Sequence, residues 1–161
     1  MNQKNSTDKV LSVLVVCLGN ICRSPAAQGI LEDNINKQSL NINVDSAGTA
    51  AYHVGNSPDR RSISTLSLRG LDISQQQARQ VKTSDFEYFD WILAMDKSNL
   101  KDLQSSCPAS LSHKLALFSS FSGANEDVAD PYYGADDGFE RMADHLERLS
   151  QSFLDKIESE Y

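Results

Sequence analysis

Cysteine is scarce: the chain holds three, Cys17, Cys22 and Cys107. An odd and small count argues against a disulfide framework and suits a reducing compartment. Histidine is equally thin. His53, His113 and His145 are scattered and form no ligand-spaced pair with a cysteine, so no metal site is expected. Positive charge is in deficit, with a net charge of -7, which disfavours nucleic acid or an anionic membrane as the main partner. Any anion site must then be built locally, against the overall field. Long apolar runs are missing as well. The longest, within Val10–Leu18, is too short to span a bilayer, and polar Met1–Lys9 reads as a flexible lead-in rather than a signal peptide. These readings place the protein in the cytoplasm.

What is present fits one domain over residues 10–161, since 40% apolar and 23% charged residues are ordinary for a globular chain. Val10 to Val16 is a continuous, β-branched run, the pattern of a strand buried on both faces in a parallel sheet. Ser24-Pro25 then reads as an N-cap and first helical residue, followed by Ala27, Ile30, Leu31 and Ile35 at helical spacing. The alternation continues. Strands are expected at Ile42–Ser46, Trp91–Met95 and Lys114–Phe118. Helices are expected from a Ser57-Pro58 cap, carrying Ile63 and Leu66, from the capping box Ser84-Asp85-Phe86-Glu87, and from Asp96. A last helix opens with Asp137 and Glu140 as a capping box and carries Phe139, Met142, Ala143, Leu146, Leu149, Phe153 and Ile157 on one face. Four strands alternating with helices make an α/β fold, a four-stranded parallel sheet with helices on both faces. Ligands in such folds sit beyond the carboxyl ends of the strands. The loop after the first strand is the place to look.

That loop reads Cys17-Leu18-Gly19-Asn20-Ile21-Cys22-Arg23-Ser24. An arginine at that offset from a cysteine arises by chance about once in twenty. Its position between a buried strand and a helix N-terminus gives it meaning, because backbone N–H groups and the positive helix end converge there. Gly19 and Asn20 are residue types that tolerate the tight or left-handed backbone needed to turn N–H groups inward. The site suits a phosphate dianion and favours a thiolate: a free cysteine titrates near ~8.5, and helix N-termini with nearby cations lower that to roughly 3.5–7.5. Arg23 supplies a planar fork for two phosphate oxygens. Ser24 can cap the helix and also offer its hydroxyl to the Cys17 sulfur as a leaving group. Cys22 reads either as buried filler or as a redox partner five residues from Cys17.

The segment Val16 to Pro25 resembles the signature loop of the low-molecular-weight protein tyrosine phosphatases, and Asp130-Pro131-Tyr132-Tyr133-Gly134 resembles that family's second signature. Asp45-Ser46-Ala47-Gly48, Ala78-Arg79-Gln80 and Met95-Asp96-Lys97-Ser98-Asn99 also resemble family segments, in the same order. The resemblance implies hydrolysis of phosphotyrosine through a phosphocysteine on Cys17. Arg23 would bind phosphate, Leu18 through Arg23 would form the backbone cradle, and Asp130 would be the general acid. It implies no cofactor, phosphotyrosine proteins or small aryl phosphates as substrates, and inorganic phosphate as product. Asn20 and Ser24 match residues that shape the loop.

Two residues depart from the family pattern: Gln28 where Glu is usual, and Gln76 where a histidine often supports the loop asparagine. Gln76 is expected to keep that supporting role through its amide. Tyr52, Tyr132 and Tyr133 are expected to wall the substrate pocket. Independently of the family, a departing tyrosyl oxygen needs a proton donor, and Asp130 and Asp136 are the acids of that loop not assigned to the helix cap. Three rival readings are weaker. A thioredoxin-coupled arsenate reductase needs a downstream cysteine pair, and only Cys107 lies downstream. The protein-arginine phosphatases within the family typically place Thr where this chain has Ile21, and Ile cannot hydrogen-bond a guanidinium. A phosphate-binding module without turnover has no use for Asp130.

Overall fold

A computed structural model describes residues 10–134 and 137–160. Expectations about Met1–Lys9 and Asp136 lie outside those residues. The elements alternate as the hydrophobic pattern demands: β1 (Leu11–Cys17), α1 (Arg23–Lys37), β2 (Ile42–Gly48), α2 (Arg60–Ser67), α3 (Thr83–Tyr88), β3 (Trp91–Ala94), α4 (Lys97–Ser106), β4 (Leu115–Leu117) and α5 (Gly138–Glu160). Short 3-10 helices at Ala109–Lys114 and Phe118–Ser122 flank β4. All four strands are parallel, in the order β2-β1-β3-β4.

The β-branched run of β1 sits in the middle of the sheet and is buried on both sides. Successive side chains point to opposite faces. Val13, Val15 and Cys17 join one core with Ile30 and Leu31 of α1 and Leu146 and Phe153 of α5. Leu14 and Val16 join the other, with Phe86 of α3, Leu103 of α4 and Leu117 of β4. Cys17 is therefore the last residue of a fully packed strand, and its direction is set by the pleat. The apolar face assigned to α5 is buried along its whole length. No helix among the described residues is long and apolar enough to cross a membrane.

Helix starts differ from the sequence reading in instructive ways. Helix α1 begins at Arg23 with Cys22 in the cap position, so Ser24 is not the cap. Its hydroxyl is engaged by Asn20 and Cys17, which leaves it unable to fold back onto the helix. Pro25 is the third helical residue, where its missing N–H still removes no intrahelical bond. At α2 the cap is Asp59, not Ser57: its carboxylate accepts the Arg61 N–H at 2.8 Å. At α3 the frame starts two residues early, with Asp85 accepting the Lys82 N–H at 2.9 Å. Asp96 caps α4 as expected, accepting the Asn99 N–H at 2.7 Å. At α5, Glu140 Oε1 accepts from Arg69, just beyond α2, at 2.9 Å.

Candidate active site

The loop from Cys17 to Arg23 is shaped by what its carbonyls do. Those of Cys17 and Leu18 accept from the N–H groups of Thr49 and Ala50, at 2.9 and 3.0 Å. The Ile21 carbonyl accepts from the Asp59 N–H at 2.8 Å, and that of Cys22 from the Ser62 hydroxyl at 3.1 Å. With these carbonyls tied outward, the N–H groups of Leu18 through Arg23 make no hydrogen bond to protein among the described residues. An anion at the centre would satisfy them, as at other helix N-termini.

Two loop residues have distinct reasons to be what they are. Asn20 takes a left-handed conformation, φ 59°, which asparagine tolerates. Gly19 does not use positive φ; it makes room, since a Cβ there would lie 3.0 Å from the His53 ring and that side chain would have to give. Gly48, at the end of β2, serves the same purpose from below. A Cβ on it would meet the Leu18 carbonyl oxygen at 2.6 Å, so only glycine lets the loop cross.

The interior of the loop is a polar network. Ser24 Oγ lies 3.1 Å from Cys17 Sγ, and the Ser24 N–H points at the same sulfur from 3.5 Å. Asn20 donates its amide to Ser24 Oγ at 2.8 Å and to Ser46 Oγ at 3.0 Å, and its Oδ1 accepts the Arg79 N–H at 2.9 Å. Gln76 has no part in this. Its amide reaches the Pro25 carbonyl at 3.1 Å, so the support expected from it comes from Ser46 and Arg79 instead. Gln28 bonds Glu32 and the Val44 carbonyl.

Arg23 is almost wholly buried, yet charged. Its Nη1 donates to Asp96 Oδ2 at 2.7 Å and to the Val128 carbonyl at 3.0 Å, and Nη2 lies 3.6 Å from Asp130 Oδ2. Burial works to lower its pKa, but Cys17, Asp96 and Asp130 outweigh that and hold the guanidinium above its ordinary value. Asp130 is half-exposed, and its Oδ1 accepts the Tyr132 N–H at 3.1 Å, a turn that aims the other oxygen into the site. Burial pushes the Cys22 thiol well up, reinforced by Asp59, Cys17 and Asp130. All three cysteines are free.

These groups face one cavity of about 330 Å³. Cys17, Cys22 and Arg23 form its floor, with Leu18, Gly19 and Ile21 around them, and Asp130 at one side. Tyr52, Tyr132 and Tyr133 rise as walls, the last two in edge-to-face contact at 4.8 Å. The cavity also includes His53, which sequence reasoning passes over although it adjoins Tyr52. Asp96, Ser46, Arg79 and Gly48 enter the sequence reading inside segments that resemble the family, with no role in the site assigned to them. Cys107 packs with the opposite core, on the far face of the sheet from Cys17, which removes it as a relay partner.

Comparison with known proteins decides the family. Residues 12–161 match the family described as low molecular weight phosphotyrosine protein phosphatase. The chain belongs to this family. It is 42% identical over 154 residues to the Schizosaccharomyces pombe enzyme of that name, covering 92% of this chain and 98% of that one. The human enzyme of the same name is 41% identical over 150 residues, covering 90% and 94%. A crystal structure of a protein tyrosine phosphatase from Entamoeba histolytica superposes with a TM-score of 0.88 at 38% identity, covering 92% and 97%. YfkJ from Bacillus subtilis superposes at 0.90 with 34% identity, covering 96% and 98%. Protein-tyrosine phosphatase, working through a phosphocysteine, is the activity that this membership carries.

Proposed function

We propose that Cys17, Arg23 and Asp130 divide the hydrolysis of phosphotyrosine between them. The Cys17 thiolate attacks phosphorus while the bond to the tyrosyl oxygen breaks, and Asp130 gives its proton to that oxygen. Tyrosine leaves, and the phosphoryl group remains on sulfur. The Asp130 carboxylate then takes a proton from water, the water oxygen attacks phosphorus, and the S–P bond breaks to release inorganic phosphate. Charge on the transferring oxygens is met by Arg23 and the loop N–H groups, which are already in place and need no reorganisation. Ser24 supports the sulfur as it leaves.

One observation carries this reading. A cysteine sulfur, a buried guanidinium and a carboxylate share one cavity, and the carbonyls of Cys17, Leu18, Ile21 and Cys22 are tied away from it. Tyr132, Tyr133 and Tyr52 supply aromatic walls suited to a phenyl phosphate, so phosphotyrosine proteins and small aryl phosphates are the proposed substrates. Three free cysteines, two of them buried, fit a reducing cytoplasm.

Turnover of a peptide panel tests the assignment. Phosphotyrosine peptides should be hydrolysed and phosphoserine and phosphoarginine peptides left. Cys17→Ser should abolish turnover while vanadate still binds, since Arg23 and the cradle remain. Asp130→Asn should lower kcat/KM for phosphotyrosine by the ~10²–10⁴ that a positioned acid contributes and spare kcat/KM for aryl phosphates of acidic phenols, because kcat/KM ends at departure of the phenol and leaves out the later hydrolysis of the phosphocysteine. A phosphoenzyme trapped on another residue, or equal Asp130→Asn losses across leaving groups, would refute these roles.

A further inference from the structure

Besides the ion pair of Arg23 with Asp130, the acid segment is held by one side chain outside it. Among the described residues, the only hydrogen bond reaching residues 130–134 from elsewhere in the chain is donated by Arg61 Nη1 to the Tyr132 carbonyl, at 3.2 Å. The same guanidinium lies over the Tyr132 ring at 5.2 Å and over the Phe139 ring, at the start of α5, at 4.7 Å. Its remaining donors, Nε and Nη2, form a fork on the Asp59 carboxylate at 3.0 and 2.9 Å. Arg61 is thus fixed from behind by Asp59 and presents its front to the segment that carries Asp130.

The turn that holds Arg61 also holds the phosphate loop. Asp59 donates its N–H to the Ile21 carbonyl and Ser62 its hydroxyl to the Cys22 carbonyl. One turn of α2 therefore grips the cradle on one side and the acid segment on the other. From this we infer that Arg61 is a positioning residue: it sets the Asp130 carboxyl in register with the cradle, so that the proton meets the leaving oxygen. The inference rests on Asp130 being the acid.

A purely structural role is already filled by a neighbour. Arg69, just past the other end of α2, pairs with Glu140, Asp144 and Glu147 and ties that end to α5. It makes no hydrogen bond to the acid segment, which makes it the comparison that separates fold support from positioning. Lost alignment falls on the step that needs the acid, because proton transfer depends on hydrogen-bond reach.

The experiment measures kcat/KM, which ends at departure of the phenol, for purified Arg61→Gln, Arg61→Lys, Arg69→Gln, Asp130→Asn and the Arg61→Gln/Asp130→Asn double variant across aryl phosphates of graded leaving-group basicity. Arg61→Gln should lose roughly tenfold on a phosphotyrosine peptide, part of the acid's full contribution, and almost nothing with acidic phenols. Arg61→Lys keeps the charge beside Asp59 but not the fork, and should show the same selectivity in weaker form; it carries the test if the glutamine variant does not fold. The double variant should be no slower on phosphotyrosine than Asp130→Asn alone. A flat loss in the Arg61 variants, additive loss in the double variant, or the same selectivity in Arg69→Gln overturns the inference. If Asp130→Asn is itself unselective, the acid assignment fails and this inference with it, whereas a selective Asp130→Asn beside a flat Arg61→Gln sinks only the role of Arg61.

Discussion

Ser24→Ala isolates the second half of the catalytic cycle. The Ser24 oxygen accepts the Asn20 amide at 2.8 Å, so its single proton is free to point elsewhere. Two acceptors are in range, Cys17 Sγ at 3.1 Å and the Ala47 carbonyl at 3.4 Å. When the S–P bond breaks, negative charge grows on the sulfur, and the closer, charged acceptor takes the proton. A hydrogen bond to a charged group is worth ~1.5–3 kcal/mol. Removing it should slow breakdown of the phosphocysteine by roughly 10- to 10²-fold at one decade per 1.36 kcal/mol. The loop itself should survive, because Asn20 keeps Ser46 and the Arg79 N–H. Rapid mixing with a chromogenic aryl phosphate then shows a burst of phenol followed by slow turnover, and acid quenching traps phosphate on Cys17. A single-phase trace with unchanged kcat would mean that the hydroxyl does nothing for the leaving sulfur. A fall in kcat without a burst would place its effect on the first step instead.

Two other expectations follow from the same geometry. Asp96→Asn should lower the melting temperature, because Asp96 uses Oδ2 for Arg23 and Oδ1 for the Asn99 N–H, and asparagine has only one acceptor to offer. The loss of a charge-assisted bond, ~1.5–3 kcal/mol, corresponds to roughly 3–12 °C for a chain of this size, and an unchanged calorimetric transition would refute it. Mild peroxide should convert the Cys17 thiolate to a sulfenic acid, which condenses with the Cys22 thiol, losing water, to a disulfide that added thiol reduces again. Burial and Asp59 keep Cys22 protonated, the Cys17 charge adds to them, and that last contribution disappears once Cys17 is oxidised. Peptide mapping beside Cys22→Ser checks this: a variant that recovers as fully as the parent, with no linked peptide, leaves Cys22 as packing.

The fold can be read from the chain because its signals are local. A run such as Val13 to Val16, apolar at every position, has one natural placement, the middle of a parallel sheet. The phosphate loop is legible for the same reason, since Cys17 and Arg23 stand within a few residues of each other at a strand–helix junction. What escapes is set by distance along the chain. Asp96 meets Arg23 across 73 residues, Ser46 meets Asn20 across 26, and Arg79 meets Asn20 across 59. No periodicity or spacing encodes such pairs. Local signals also mislead where a tertiary partner overrides them: Ser24-Pro25 has the form of a helix start, but Asn20 and Cys17 claim the hydroxyl first. The supporting role expected of Gln76 rests on position alone, and its amide donates to the Pro25 carbonyl.

The residues that escape nevertheless share a place that general principles can supply. Ser46 and Gly48 close β2, and Asp96 stands two residues beyond the end of β3. Parallel register aligns those ends beside Cys17, with Gly48 opposite Cys17 itself and Ala94 opposite Val16. In an open α/β sheet the ligand sits beyond the carboxyl ends of the strands, and that holds for every strand flanking the loop, not only the one that leads into it. Polar side chains at the ends of neighbouring strands are therefore candidates for the same site on sequence grounds alone. Applied to this chain, the rule selects Ser46 and Asp96, the residues that steady Asn20 and Arg23, and it passes over Gln76, which lies in a loop and binds neither.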